Sequence, residues 1–291
     1  MKRKEHIVGY LFILPNMIGI FIFVLGPVIA GLLLSFTKWD LLSSPVWIGI
    51  SNYKELLHDS LFWTSLKNTA YYAVLTVPAF LIFSLLLAIL VNRSLKGINI
   101  FRAIYFIPVV TSVTAISIVW KWIYNPEFGI LNFLLDLIGV SPKQWLNDPK
   151  LAMLCIAIMS VWHGVGYDMM ISLAGLKEIP SQLYEAAKID GASRMQMFLW
   201  ITLPLLTPTL FFLLVINLIG SFQVFGEIYV MTDGGPGNAT LTYSYFLYQN
   251  AFLWFKMGYA ASLGYVLFLI IFILTLIQFR LLGRRVAYEF L

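Results

Sequence analysis

Little in this sequence is placed to break a covalent bond. It has no H-E-x-x-H helix, no nucleophile elbow and no spaced carboxylate pair within an apolar stretch, and no G-x-x-x-x-G-K-[ST] loop to cradle phosphates. His163 has no second His or Cys at a ligand spacing, and the single cysteine, Cys155, can form no internal disulfide. What remains is hydrogen bonding and docking. One polar set is Ser160, His163, Gly164, Gly166, Tyr167 and Asp168; a second is Asn217, Gly220, Ser221, Gln223 and Glu227. Both sit in otherwise apolar runs. Between them lies EAAKIDGAS, Glu185 to Ser193, with three ionisable groups, three alanines and a glycine in nine residues.

These groups must be held by elements that live in lipid. The chain is 60% apolar and 11% charged, with a mean hydropathy of +0.86, too apolar for an ordinary water-soluble domain. Stretches of the roughly 20 residues needed to cross a bilayer are expected at about Val8–Phe36, Thr69–Val91, Ala103–Ile123, Leu151–Leu176, Leu205–Val230 and Gly258–Leu282. They are continuous rather than alternating, which excludes a membrane barrel. The fold class is all-α: a polytopic helical membrane protein with six transmembrane helices. The first stretch exceeds the ~7–15 residues of a signal core and is read as a retained helix bent by Pro15 and Pro27.

Charge gives the orientation. Lys2, Arg3, Lys4, Arg93, Lys96, Arg102, Lys177, Lys188, Arg194, Arg280, Arg284 and Arg285 fall on one side. Lys38, Lys54, Lys67, Lys121, Lys143, Lys150 and Lys256 fall on the other. Every arginine is on the first side, which places both termini and EAAKIDGAS in the cytoplasm. This asymmetry accounts for the net charge of +5 without a nucleic-acid surface. No repeat at a fixed period and no long linker is visible, so residues 1–291 read as one membrane domain. Aromatics in the outer loops, at 37–68, 124–150 and 231–257, suit an interfacial belt or the docking of an external protein. The run Gly129–Gly139 is amphipathic.

The fourth loop, 177–204, reads helix, tight turn, helix. Pro180 and Ser181 mark a start with the serine as cap, and a helix follows from Gln182 to about Asp190. Gly191 supplies the left-handed residue, and Ser193 with Gln196 forms a capping box for a second helix running to Leu203. Ala186 and Ala187 leave the backbone bare for close approach, and Glu185 offers a charge for registry. Asp190, at the unfavourable end of the helix dipole, calls for a compensating hydrogen bond. A lipid-surface helix would carry large apolar residues and basic flanks instead.

Glu185-Ala186-Ala187, Asp190-Gly191-Ala192, Phe198, Ile201, Leu203-Pro204 and Pro208 resemble the cytoplasmic signature of ABC importer permease subunits. Tyr105–Asn132, Leu173–Pro180 and Met231–Thr240 resemble the carbohydrate-uptake branch, similar to maltose, glycerol-phosphate and multiple-sugar permeases, so the resemblance covers the chain from Tyr10 onward. It implies a type I ABC importer permease fold in a bacterial inner membrane. Glu185, Ala186, Ala187, Asp190, Gly191 and Ala192 would then be the coupling helix contact. The implied partners are two ATP-binding subunits, a second related permease subunit, an extracytoplasmic sugar-binding protein and membrane lipid. ATP and Mg would be used by the partner ATPase, with no cofactor in this chain.

Aligned through that signature, Ser160, Gly164, Asn217, Gly220, Ser221 and Val224 match positions lining the sugar site of the maltose-type permease, with Tyr167 and Gln223 added to the pathway and Trp162 or Phe222 as stacking faces. Singly, Ser, Gly and Asn in membrane helices also serve helix packing. An autonomous ion-coupled carrier using Asp168 or Glu227 is the competing reading, and a membrane-embedded enzyme is disfavoured for want of a catalytic constellation.

Overall fold

The computed structural model describes residues 2–93, 96–281 and 283. The side chains of Lys2, Arg3 and Lys4, all of Arg284 and Arg285, and the end of the sixth stretch at Leu282 lie outside the described residues. The helices gather into two compact units, Met1–Phe62 with Leu247–Leu269, and Trp63–Phe246 with Ile270–Leu291.

Helix α1 runs through Lys2–Ile20, a π turn at Phe21–Leu25, and Gly26–Ser35. Pro27 lacks an N–H, and the π turn takes up that gap: Gly26 N–H bonds the Phe21 carbonyl, five residues back. The apolar part, Phe12–Ser35, stays one 24-residue helix with none of its window buried. A two-residue hairpin, β1 (Thr37–Lys38) with β2 (Val46–Trp47), and helix α2 (Ser51–His58) follow. The buried Asn52 side chain donates to the carbonyls of Ser35 and Thr37.

The second unit is built on α3 (Ser60–Val91) and α7 (Ala152–Glu178). Half of α7's apolar window is buried, through Ile156, Met159, Met169 and Leu173 among others, so α7 is the axis of this unit. Around it lie α4 (Ile98–Val110), α5 (Val113–Ile123) and α6 (Ile130–Leu137). Next come α8 (Ser181–Ile189), α9 (Arg194–Leu205) and α10 (Thr207–Phe222). The chain then passes through α11 (Gly226–Met231) and α12 (Tyr243–Tyr248) to α13 (Met257–Leu281). The amphipathic run falls on α6, between Gly129 as N-cap and Gly139 at φ 74°.

Two of the six expected spans are broken. Phe12–Ser35, α3, α7 and α13 are each long and apolar enough to cross a membrane. The third expected span is the pair α4 and α5, bent by 98°. The fifth, expected from Leu205, is α10; it follows the loop helix α9 at a 63° bend, beside the boundary read at Pro204, and is interrupted after Phe222. At the first bend Thr111 and Ser112 adopt extended backbone. His163 donates to the freed Thr111 carbonyl at 3.1 Å and also lines a polar cavity between α7 and α10. At the second, Leu206 separates the helices, and Pro208 sits in the opening turn of α10, where a missing N–H costs nothing. The expected end of the fifth span at Val230 is also too late. Helix α10 stops at Phe222, and Phe225 takes φ −142°, ψ −57° before α11 begins.

Candidate functional site

Helix α8 stands clear of the molecule. None of its residues is buried, and Ile189 is 87% exposed. The N-cap is Pro180, in extended conformation, so Ser181 is the first helical residue and not the expected cap. The C-terminus closes in a Schellman turn. Ala192 N–H bonds the Ala187 carbonyl at 2.8 Å, Gly191 N–H bonds the Lys188 carbonyl at 3.1 Å, and Gly191 sits at φ 77°. Ser193 and Gln196 then form the expected capping box, each side chain bonded to the other's backbone N–H. The turn therefore has no slack: the chain leaves one helix and enters the next with its backbone donors satisfied. Asp190 is exposed and its carboxylate makes no hydrogen bond among the described residues, so the expected compensating bond is not formed.

The joint is tied inward at two places. The Tyr184 hydroxyl and Thr202 Oγ1 lie 2.9 Å apart, linking α8 to α9. A buried cluster of Ala88, Val91, Met169, Leu173, Leu176, Ile179 and Leu206 joins the ends of α3 and α7 to the α9–α10 bend, with Tyr184 and Ile201 packed on it. The second helix also runs further than Leu203. A π turn at Phe198–Thr202 carries α9 through Pro204 to Leu205. In the first turn of α10, Thr209 lies so close to Gly175 that a Cβ there would meet Thr209 Oγ1 at 2.4 Å. Close contacts therefore connect α8 to α7 and α10.

Farther along those helices is a cavity of about 380 Å³. It brings together Ser160 and Gly164 of α7, Asn217, Gly220 and Ser221 of α10, and Gln223 and Val224 of the segment after α10. Tyr167, one turn beyond Gly164, lies outside the lining and is half exposed. Trp162 and Phe222 are also outside it; the aromatic walls are Tyr72, Phe80 and Phe225. Sequence reasoning missed the α3 contribution of Tyr72, Thr76 and Phe80. The signal was there: these positions, four apart, lie on one face of a helix. Gly164 admits Phe80, since a Cβ would come within 2.9 Å of its ring, whereas a Cβ on Gly220 would meet nothing within 4 Å. Gly220 is open floor.

The cavity's polar rim depends on the end of α10. Broken backbone at membrane depth is tolerated where it lines a cavity and its groups are satisfied. Ser244 Oγ donates to the Phe222 carbonyl and Thr242 Oγ1 to the Val224 carbonyl, both at 3.2 Å. The stretch that brings these hydroxyls back is Met231–Thr240, folded with Asp233, Gly234, Gly237 and Asn238 at positive φ. Thr232 and Thr240 hydroxyls close it at 2.8 Å. Asn68 Nδ2 pins it to α3 through the carbonyls of Asn238 and Leu241. Asp168 is buried outside the cavity lining and accepts a bond from Asn217 Nδ2 at 2.5 Å, which ties α7 to α10. Cys155 is buried, and no group of three His, Cys, Asp or Glu able to hold a metal occurs among the described residues.

Residues 60–288 match a family described as binding-protein-dependent transport system inner membrane component. Over 99% of its length the chain is 41% identical to the probable ABC transporter permease protein YesP of Bacillus subtilis (strain 168), covering 94% of that relative. It is 38% identical to the arabinooligosaccharides transport system permease protein AraP of the same organism, over 94% of this chain and 88% of the relative. Among solved structures, a chain of a bacterial ABC transporter involved in the import of the acidic polysaccharide alginate superposes with a TM-score of 0.85 at 25% identity. That superposition covers 97% of this chain and 96% of the other.

Proposed function

The chain belongs to the family of binding-protein-dependent transport system inner membrane components, and on that premise we propose how it works as a sugar-importing permease. It is a multi-pass membrane subunit of an ABC transporter that forms half of a translocation pathway. A second, related permease subunit supplies the other half, two ATP-binding subunits hydrolyse ATP with Mg on the cytoplasmic side, and an extracytoplasmic binding protein delivers the cargo. Both termini face the cytoplasm in a bacterial inner membrane. The cargo is an oligosaccharide, a reading supported by the name of the relative AraP.

The observation that carries this reading is the exposed helix α8 with its locked turn. Ala186 and the charge of Glu185 are presented outward, Ala187 lies half-buried beside them, and Tyr184 ties the inner face to α9. Glu185, Ala186, Ala187, Asp190, Gly191 and Ala192 form the contact with the ATPase. When the ATPases close, α8 moves with them, and Tyr184, Thr202 and the Gly175–Thr209 contact carry the movement into α7 and α10. Those helices hold Ser160, Gly164, Asn217, Gly220 and Ser221, so the cavity changes the side to which it opens. The sugar exchanges hydrogen bonds with Asn217, Ser160, Ser221 and Gln223 beside Gly220 and Val224, and its apolar face lies against Phe80 or Phe225.

The ion-coupled carrier finds no support among the relatives, which are named as ABC transporter and transport system permease proteins; Asp168 is bonded to Asn217 outside the cavity lining, while Glu227 lines the cavity together with His163. The test is the purified assembly in vesicles, with ATP hydrolysis followed as binding protein is added with an arabino-oligosaccharide or with a phosphorylated polyol. Stimulation by the oligosaccharide, and uptake that survives collapse of proton and sodium gradients, is the expected result. Stimulation by the polyol alone would overturn the cargo, and uptake by this chain without ATP would overturn the reading.

A further inference from the structure

A second cavity, of about 580 Å³, opens on another face of α7 and has no part in the proposed pathway. Its wall on α3 is the stripe Leu75, Ala79, Phe83 and Leu87, four residues apart on one helix face. Its other walls come from Tyr105 and Pro108 of α4 and from α7, where Ala157 and Trp162 take part. Every lining side chain is aliphatic or aromatic. The shape has a local cause. Gly166 presses α7 onto α4 so closely that a Cβ would meet the Tyr105 carbonyl at 2.0 Å. Beyond that crossing the 98° turn into α5 takes the chain away, and the alanines leave the floor low. From Leu75 to Leu87 the stripe spans about 18 Å at 1.5 Å per residue, close to the ~15 Å of one leaflet's hydrocarbon.

One turn beyond Leu87, α3 ends at Val91, whose side chain is buried and whose carbonyl meets a cation. Arg102 Nη2 donates to the Val91 carbonyl at 2.8 Å and Nη1 to Asn99 at 3.0 Å, while its Nε is buried without a partner. Helix α4 begins beside it at Gly97, which offers no side-chain cap to the first N–H groups. Arg93 and Lys96 lie in the same connection, and none of the three cations makes an ion pair among the described residues. This end of the groove is on the membrane face that carries α8, because Val91 and Ile98 pack with Leu176, Ile179 and Tyr184. Basic pockets between membrane helices on that face bind anionic head groups.

We propose that this groove is a site for an anionic phospholipid, one acyl chain lying along Leu75–Leu87 between α3, α4 and α7, its phosphate held by Arg102 with Arg93 and Lys96. The bound lipid fills the gap beside the third span's bend and sets its head group next to the cluster through which α8 moves. The ligand is a leaflet component and not a transported solute, so the site stands or falls independently of the cargo.

The test uses the whole importer assembly in phosphatidylcholine vesicles containing phosphatidylglycerol, with the lipid retained on the purified complex read by native mass spectrometry. Wild type retains phosphatidylglycerol in preference to phosphatidylcholine. Arg102→Gln lowers that retention roughly fivefold, the size expected for one charge at the membrane surface, and Arg102→Lys recovers most of it. Ala79→Trp, which fills open space at a partly exposed position and leaves the cations in place, also loses the lipid. Equal retention in wild type, Arg102→Gln and Ala79→Trp overturns the proposal. So does crosslinking of the groove to a helix of another permease subunit in native membranes, since the space would then be a protein interface.

Discussion

Gly191 and Gly220 are both glycines for which a Cβ would meet nothing within 4 Å, yet they matter for different reasons. Gly191 is fixed by backbone: at φ 77° a β-branched residue costs about 1–2 kcal/mol in a turn with no slack. Gly191→Asn should therefore retain most uptake and Gly191→Val little, measured as transport in reconstituted vesicles with the chain still inserted. Gly220 is fixed by space. Gly220→Leu should leave the assembly as stable as wild type and abolish sugar uptake, while ATP hydrolysis continues. A loss of assembly stability in Gly220→Leu would mean that the position packs against a helix and does not face the pathway. The signature around Gly191 was legible in the sequence because caps and left-handed glycines are local devices. Tyr167 misled for the opposite reason. It shares a helix face with Ser160 and Gly164, but where the cavity ends along that face depends on Phe80 and Phe225, from distant parts of the chain.

At the scale of elements, hydropathy located the spans and could not see where two of them break. Residues on both sides of Thr111 are equally apolar, so no change in composition marks that bend, whereas Pro204 and Pro208 mark the one at Leu206. Distant groups hold the Thr111 bend and the break after α10: the His163 ring on the Thr111 carbonyl, and the Thr242 and Ser244 hydroxyls on the carbonyls of Val224 and Phe222. Leaving a buried carbonyl unpaired costs about 1–3 kcal/mol. Thr242→Val together with Ser244→Ala should accordingly lower the thermal midpoint of the purified assembly and weaken sugar-stimulated ATP hydrolysis, because the rim carrying Gln223 and Val224 loses its anchor. An unchanged midpoint would mean that these hydroxyls do not hold the break. The turn-rich stretch Met231–Thr240, which reads in the sequence as a loop, is then best understood as the brace that returns those hydroxyls to the cavity wall.

For the molecule as a whole, the central claim is that force enters from outside through α8 and leaves as a change at the cavity. The parts are arranged in series: an exposed helix without a buried residue, a tyrosine–threonine tie, a buried cluster at the ends of α3 and α7, and the polar cavity farther along α7 and α10. Cys155 is buried, so Ile189→Cys, at an α8 residue that stands exposed, gives the chain one accessible thiol. A crosslinker on it should capture an ATP-binding subunit. Capture by lipid alone would place α8 on the membrane surface instead.

The most direct measurement follows ATP hydrolysis and sugar uptake together in vesicles bearing the complete assembly, comparing wild type with the double variant Glu185→Ala, Gly191→Pro. Hydrolysis that continues while uptake is lost is the predicted result, since the motor would run without its joint. Uptake that keeps pace with hydrolysis in the double variant would contradict the account.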